Sequence, residues 1–96
     1  MLDIIISAIQ NKQYISFTYS GLDRVVEPHA VGCSRAGNDV LRCYQTQGGH
    51  ISPDHEWDLC KLSKISNLSI TGEYFDSARV GYNKGDKGMS QIYAEL

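Results

Sequence analysis

The sequence contains no long apolar run. Nothing in its 96 residues approaches the run of about 18 apolar residues that a membrane-spanning helix needs, so we expect no membrane segment. The opening stretch, MLDIIISAIQ, lacks a basic start and contains Asp3. A secretion signal begins with a positively charged region, and we therefore expect residues 1–10 to belong to the fold.

Cysteine is scarce, and its number is odd. The chain has three, Cys33, Cys43 and Cys60, with no close pairing. Small secreted domains use dense, even sets of cysteines as disulfide frameworks, whereas thiols stay reduced in the cytoplasm. The sequence therefore predicts no disulfide framework and a cytoplasmic location.

The chain also lacks an excess of positive charge. Nine Lys and Arg residues stand against eleven Asp and Glu residues, a formal net charge of −2 at pH 7. Non-specific binding to nucleic acid relies on neutralising phosphates and is typical of basic domains. Charges of both signs are mixed along residues 1–71, so any site for an anion must be a local pocket or groove.

Internal repeats and low-complexity segments are absent as well. The apolar fraction of 42% and the charged fraction of 21% are those of an ordinary globular protein. A chain of this length makes one domain with a single modest core, which argues against a large enzyme with several sites.

Hydrophobic periodicity predicts one helix and then a series of strands. Apolar residues spaced by three and four indicate a short amphipathic helix: Leu2, Ile5, Ile6 and Ile9. Five short strands follow, separated by turns and a polar loop: residues 14–19, 24–27, 40–46, 57–62 and 68–71. Pro28 removes a donor from the sheet, which indicates an edge or a bulge, and residues 29–35 can continue the second strand beyond it.

The predicted fold is mainly β with flanking helices. A helix and five short strands joined by tight turns favour a small, strongly bent barrel, because closure removes exposed sheet edges. The last residues show a second helical spacing: Met89, Ile92, Tyr93 and Leu96. We expect a short C-terminal amphipathic helix there, which docks either on the core of the domain itself or on a second copy or partner protein.

Residues 8–28 carry a motif of apolar, aromatic, glycine and charged positions. It is formed by Ala8, Ile9, Asn11, Lys12, Ile15, Phe17, Tyr19, Gly21, Arg24, Val26, Glu27 and Pro28. With Trp57 leading a later strand and Tyr74-Phe75 closing the stretch, the chain resembles the WYL domain over residues 5–75. The name-giving triplet falls at Asp39-Val40-Leu41, where only Leu41 matches, so the likeness describes a divergent, stand-alone member.

The resemblance implies a barrel domain over residues 1–75, of the SH3 or Sm-like type, with residues 76–96 as an extension. It also implies a module that senses a negatively charged ligand, a nucleotide or short single-stranded nucleic acid. Members of the family are mostly bacterial regulators, often in phage defence or DNA damage. The conserved Arg of the family matches Arg24, and the Tyr before it matches Tyr19.

Four side chains are the candidates for ligand binding: Tyr19, Arg24, Arg42 and Tyr44. The planar fork of Arg24 suits a phosphate, but a salt bridge to Glu27 or Asp23 is the structural alternative. Arg42 and Tyr44 share one face of a regular strand, where they can hold a phosphate and stack a base, or can simply be an exposed face. Tyr19 alternates with polar neighbours, a pattern that is more often that of a core residue than of a stacking platform.

Catalytic and metal patterns are weak in this sequence. His50, His55 and Cys60, with Cys43 upstream, match the spacing of neither a zinc knuckle nor a zinc-protease helix. His29 and Cys33 lie too far apart in an extended segment to act together. The glycines near positions 48 and 81–88 do not follow the phosphate-loop pattern. We therefore expect no catalysis, metal or cofactor.

Two functions remain after these exclusions. The first is a ligand-sensing module for an anionic nucleotide or single-stranded nucleic acid, bound near Arg24 and Arg42. The second is a protein-interaction module, such as a homodimer, without a small-molecule ligand. The two are compatible, because a sensor with no DNA-binding domain of its own needs a partner to transmit its signal.

Overall fold

A computed structural model of the chain describes residues 1–48 and 56–96. These residues form one α-helix, six strands and one 3-10 turn: α1 (Leu2–Asn11), β1 (Gln13–Tyr19), β2 (Leu22–Cys33), β3 (Asp39–Gly48), β4 (Trp57–Lys61), the 3-10 turn (Leu62–Lys64), β5 (Ser66–Tyr74) and β6 (Gln91–Glu95). No helix in the described part of the chain is long and apolar enough to cross a membrane. Most of the polar loop predicted over residues 50–56 lies outside the described residues.

All six strands belong to one antiparallel sheet. Its order is β4-β3-β2-β1-β5, and β6 pairs with β2. The prediction of a mainly β protein with an N-terminal helix is confirmed, and the five predicted strands correspond to β1–β5. Among the described residues these pairings make an open sheet, since none of them joins the end strands β4 and β5.

Strand β2 is long, and two strands pair with successive parts of the same edge of it. Its first half pairs with β1 from Leu22 to Val26, and its second half pairs with β6 from Ala30 to Cys33. Pro28 lies between these two segments, where the register against β3 shifts. The sequence predicted an edge or a bulge at Pro28, and the structure has an irregularity of the ladder next to it. The strand continues beyond this point because proline is tolerated where the ladder is interrupted.

The main core lies on the face of the sheet that α1 covers. The helix buries Ile5, Ala8 and Ile9, and it ends at Lys12, whose left-handed backbone directs its N–H back to the last carbonyls. Strands β1 to β4 and the 3-10 turn with the residue after it add the rest of this core: Ile15, Phe17, Val26, Val31, Leu41, Cys43, Cys60, Leu62 and Ile65. Alternation along each strand therefore sends the intervening side chains to the opposite, outer face.

The predicted C-terminal helix is wrong, because residues 91–95 form strand β6. Because successive side chains of a strand point to opposite faces, Ile92 packs in a small cluster on the outer face and Tyr93 packs against the main core. The apolar residues of this segment therefore do not share one face, as the predicted helix required. Gly32 makes this pairing possible: a Cβ there would lie 3.0 Å from the Ile92 Cα and closer still to a backbone oxygen of Gln91. The apolar residues of the tail are thus used within the chain itself.

Residues 75–90, here called the covering segment, cross the outer face of β2, β3 and β4. At its end Met89 is buried with Ala30 and Val40, and Tyr82 packs against this second small cluster. At its start the Phe75 amide donates to the Lys12 carbonyl beside α1. The covering segment thereby gives the sheet a second layer, and the candidate site forms beneath it.

Candidate functional site

His29 on β2 anchors the covering segment to the sheet. Its ring is fully buried and contacts those of Trp57, Phe75 and Tyr82 at centroid distances of 4.8, 6.0 and 5.0 Å. The backbone N–H of Arg79 donates to Nε2 over 3.0 Å, so Nε2 must be the unprotonated nitrogen. The proton lies on Nδ1, which donates to the Glu27 carbonyl over 2.8 Å. Burial lowers the pKa of His29, in keeping with this neutral form.

Glu27 and Arg79 form the second anchor of the covering segment. The buried Glu27 carboxylate accepts two hydrogen bonds from the Arg79 guanidinium, at 3.1 and 2.7 Å, and one from the Tyr14 hydroxyl at 3.0 Å. The guanidinium also lies 4.3 Å from the centroid of the Tyr44 ring. The alternative salt bridge from Arg24 to Glu27 is therefore wrong, since Arg79 takes the carboxylate.

Arg24 lies on the core face, where it is only 6% exposed. Its Nη1 donates to Asp58 over 3.2 Å, and its guanidinium carbon lies 5.2 Å from the centroid of the Tyr19 ring. Its Nε is buried without a hydrogen-bond partner among the described residues. Arg24 lines a groove of about 450 Å³, here called the inner groove, whose other lining residues include Ser16, Thr18, Asp23, Gln47 and Asn67.

Arg42 lies on the outer face and is held by the covering segment. Its Nε and Nη2 donate to the two carboxylate oxygens of Asp86, at 2.7 and 3.2 Å. The Arg42 hydrogen bonds hold the pKa of Asp86 below its usual value. This two-pronged geometry fixes the loop of residues 81–88 over β3.

That loop and the sheet enclose a cleft of about 630 Å³, here called the outer cleft. It is lined by Arg42, Trp57 and residues 81–88. The Trp57 and Tyr82 rings are inclined by only 21° at a centroid distance of 6.3 Å. Lys84 and Lys87 are exposed at its rim, and the Cβ position at Gly81 lies 3.7 Å from the indole nitrogen of Trp57.

The four predicted ligand residues do not form one site. Tyr19 and Arg24 lie together at the core face, whereas Arg42 lines the outer cleft on the opposite face. Tyr44 also lies on the outer face, against Trp57 at 5.3 Å and under Arg79, and it does not line the cleft. Alternation along β3 predicted that Arg42 and Tyr44 share a face. That the covering segment lies over this face could not be predicted, because the segment is far away in the sequence.

Several cleft residues escaped the sequence reasoning: Trp57, Tyr82, Lys84, Asp86 and Lys87. The stretch GYNKGDKG at residues 81–88 was the available signal, since it sets two lysines among glycines. It lacks the strand–loop–helix context of a phosphate loop, and its neighbours on β3 and β4 become apparent only in the folded chain.

The thiols and histidines form no metal centre among the residues that the structure describes. Cys33, Cys43 and Cys60 are free, and the pKa of Cys43 is raised by its hydrogen bond to Cys60 and by burial. Within residues 1–48 and 56–96, no three His, Cys, Asp or Glu side chains are grouped to hold a metal ion. His50 and His55, from the weak zinc pattern, lie outside the described residues.

Comparisons of the chain with protein-family models, with curated proteins and with solved structures found no match.

Proposed function

We propose that the protein is a ligand-sensing module for a small anionic ligand, a nucleotide or the end of a short single-stranded nucleic acid, and that the outer cleft holds it. The likeness of residues 5–75 to the WYL domain supports this class of ligand. A barrel of the SH3 or Sm type is part of the same proposal. The cleft volume of about 630 Å³ lies within the usual range of small-molecule sites.

The charge of the outer cleft is the observation that carries the proposal. Among the described residues, its lining has three cations, Arg42, Lys84 and Lys87, and one carboxylate, Asp86, which leaves this part of the lining with a net charge of two positive units. The whole chain has a net charge of −2. Positive charge is thus concentrated in one concave surface of an acidic protein, as expected of a local site for an anion.

Aromatic rings beside these cations favour a ligand that also has a flat ring. Trp57 and Tyr82 both line the cleft, and a base can stack on such side chains whatever its identity. The indole N–H of Trp57, near Gly81, is a further donor for a ligand oxygen. Phosphate contacts from the lysines and stacking on the rings together describe a nucleotide.

The inner groove is the weaker site for such a ligand. Arg24 is almost fully buried and already paired with Asp58, so much of its charge is neutralised within the core face. Its unpartnered Nε still supports a contact to a ligand oxygen there. We assign Arg24 mainly to holding β2 and β4 together, and Arg42 to the ligand.

One observation favours self-association as a second function. Strand β5 pairs with β1, and no second pairing partner exists for it among the described residues. Ile70 is 41% and Tyr74 is 64% exposed on it. An unpaired edge with exposed apolar side chains is a surface on which a second copy can add a strand.

A titration of charge-matched variants tests the ligand proposal. Inorganic phosphate, adenosine monophosphate and a short oligothymidine are titrated by calorimetry into the wild type and into the double variant Lys84→Gln/Lys87→Gln. We expect adenosine monophosphate to bind and the double variant to lose about tenfold in affinity, or ~1.4 kcal/mol. The control, Lys61→Gln/Lys64→Gln, removes the same charge from exposed positions outside the cleft and should match the wild type. Absence of binding by all three probes would reject the proposal.

A further inference from the structure

Three donors of this chain converge on one carboxylate inside the outer cleft. Arg42 Nε and Nη2 bind the two oxygens of Asp86, and the Gly88 N–H binds Oδ1 over 2.8 Å. The Asp86 side chain is only 7% exposed, whereas Arg42 is 29% exposed. The carboxylate is therefore enclosed by its donors, while the guanidinium that holds it still faces the cleft.

This donor set is of the kind that binds a phosphate. A guanidinium fork with an adjacent backbone N–H recognises two oxygens of one anion, and carboxylate and phosphate oxygens accept such bonds alike. Glycine at position 88 suits this arrangement, since a Cβ there would lie 3.1 Å from Asp86 Oδ1 and 3.4 Å from Arg42 Nη2. Asp86 thus occupies an anion site with a group from the chain itself.

We infer that Asp86 is an internal competitor, and that the phosphate of the ligand takes its place on Arg42 and Gly88. This regulation of the outer cleft rests on the proposed function. A phosphate with two negative charges gains contacts to Lys84 and Lys87 in addition to the donors it takes from a singly charged carboxylate. Binding then exchanges one anion for another at Arg42, so the guanidinium is never left without a partner.

The exchange also supplies a signal, because Asp86 is the side chain that holds the 81–88 loop to β3. The neighbouring Gly85 has a left-handed backbone, a conformation that glycine adopts without steric cost. Its N–H is bound by Glu95 of β6 over 3.0 Å. A loop released from Arg42 therefore alters a contact to the strand that pairs with β2.

Removal of the Asp86 charge tests the inference, because a salt bridge with a purely structural role predicts no gain in affinity for the ligand. Asp86→Asn keeps the shape and one acceptor oxygen for Gly88, and it should bind adenosine monophosphate about fivefold more tightly or better, the low end of typical coupling. The control, Asp76→Asn, removes the same charge from an exposed position in the covering segment and should bind like the wild type. Weaker or unchanged binding by Asp86→Asn, with the wild type binding normally, would overturn the inference and leave the proposed function intact.

A second measurement uses the unaltered chain, in case Asp86→Asn folds poorly. The NMR signals of the Gly88 amide and of the Arg42 Nε–H should shift strongly as adenosine monophosphate saturates the wild type, because both donors exchange a carboxylate for a phosphate. Saturation that leaves the Gly88 amide and the Arg42 Nε–H unchanged would contradict displacement. If neither the wild type nor Asp86→Asn binds, the proposed function fails and the inference fails with it.

Discussion

The backbone N–H of Arg79 donates a hydrogen bond to Nε2 of His29 over 3.0 Å, and this contact requires His29 to be neutral. A protonated ring would present a second N–H to the amide, and the two donors would repel each other. The same ring packs against Phe75 and Tyr82 of the covering segment. Attachment of this segment to the sheet therefore depends on the protonation state of one buried side chain.

Acid should destabilise the fold through His29. Its pKa in the folded protein is lower than the ordinary value of 6.5, because burial disfavours the charged ring. Above pH 6.5 both states are neutral and the full stability is present. Below pH 6.5 the His29 ring binds a proton in the unfolded chain more readily than in the folded chain, so the free energy of unfolding falls as the pH falls. Urea unfolding between pH 7.5 and 5 measures this slope.

The control for acid sensitivity is His29→Gln, whose amide oxygen can accept the Arg79 N–H without titrating. The variant should start from a lower stability but lose less of it between pH 7.5 and 5 than the wild type. Equal slopes in the two proteins would show that the acid sensitivity arises elsewhere.

Loss of the Arg79 guanidinium should cost substantial stability. Arg79→Met leaves Glu27, which is 3% exposed, with only the Tyr14 hydroxyl as a side-chain partner within the described part of the chain. Leaving a buried charged acceptor unsatisfied costs about 2 to 3 kcal/mol. The matched control is Arg35→Met, since Arg35 is exposed and donates to the Lys87 carbonyl, a surface contact whose loss should cost at most about 0.5 kcal/mol. Comparable losses in both variants, measured by urea unfolding, would contradict this role of Arg79.

Substitution of Gly32 should detach β6. In Gly32→Ala the new methyl group would overlap the backbone at Gln91, which cannot move aside as a flexible side chain does. Forced overpacking of this kind costs about 1 to 3 kcal/mol. Hydrogen exchange should accelerate at the β6 amides and stay unchanged at the β1 amides, which serve as the internal control. Full protection of β6 in the variant would rule out the close-approach explanation.

Self-association through β5 predicts a change in mass with one substitution. Ile70→Lys places a charge on the exposed edge strand, where charged side chains discourage the addition of another strand. Light scattering at increasing concentration should show a dimer for the wild type and a monomer for the variant. Val80→Lys is the control, because Val80 is 93% exposed outside the sheet. A wild type that stays monomeric would exclude this second function.

The elements that could be predicted from the sequence are those set by local patterns. The stripe of Ile5 and Ile9 and the alternation of Ile15 and Phe17 suffice for α1 and β1, because each periodicity suits one backbone geometry. Strand β6 could not be recognised in this way. Its eight-residue helical spacing is too short to sustain a helix by itself, and the strand is stabilised by the free edge of β2.

The partners of the charged residues could not be predicted from local patterns either, because they come from distant parts of the sequence. Glu27 and Arg79 are 52 positions apart, and Arg42 and Asp86 are 44 apart. Proximity in sequence favoured Asp23 or Glu27 as the partner of Arg24, yet its carboxylate comes from Asp58, 34 positions away. The pairing of the strands and the path of the covering segment decide these partners, so a sequence pattern identifies the charged residues but not their contacts.

The most direct test of the proposed ligand site uses the single tryptophan of the chain. Trp57 lines the outer cleft, so its indole N–H gives one NMR signal that reports on this site. Titration with adenosine monophosphate should shift that signal and the amides of residues 84–88 with one saturation curve, and Lys84→Gln/Lys87→Gln should weaken the response. Shifts confined to Arg24, Gly48 and Asn67 of the inner groove, or no shifts at all, would contradict the account.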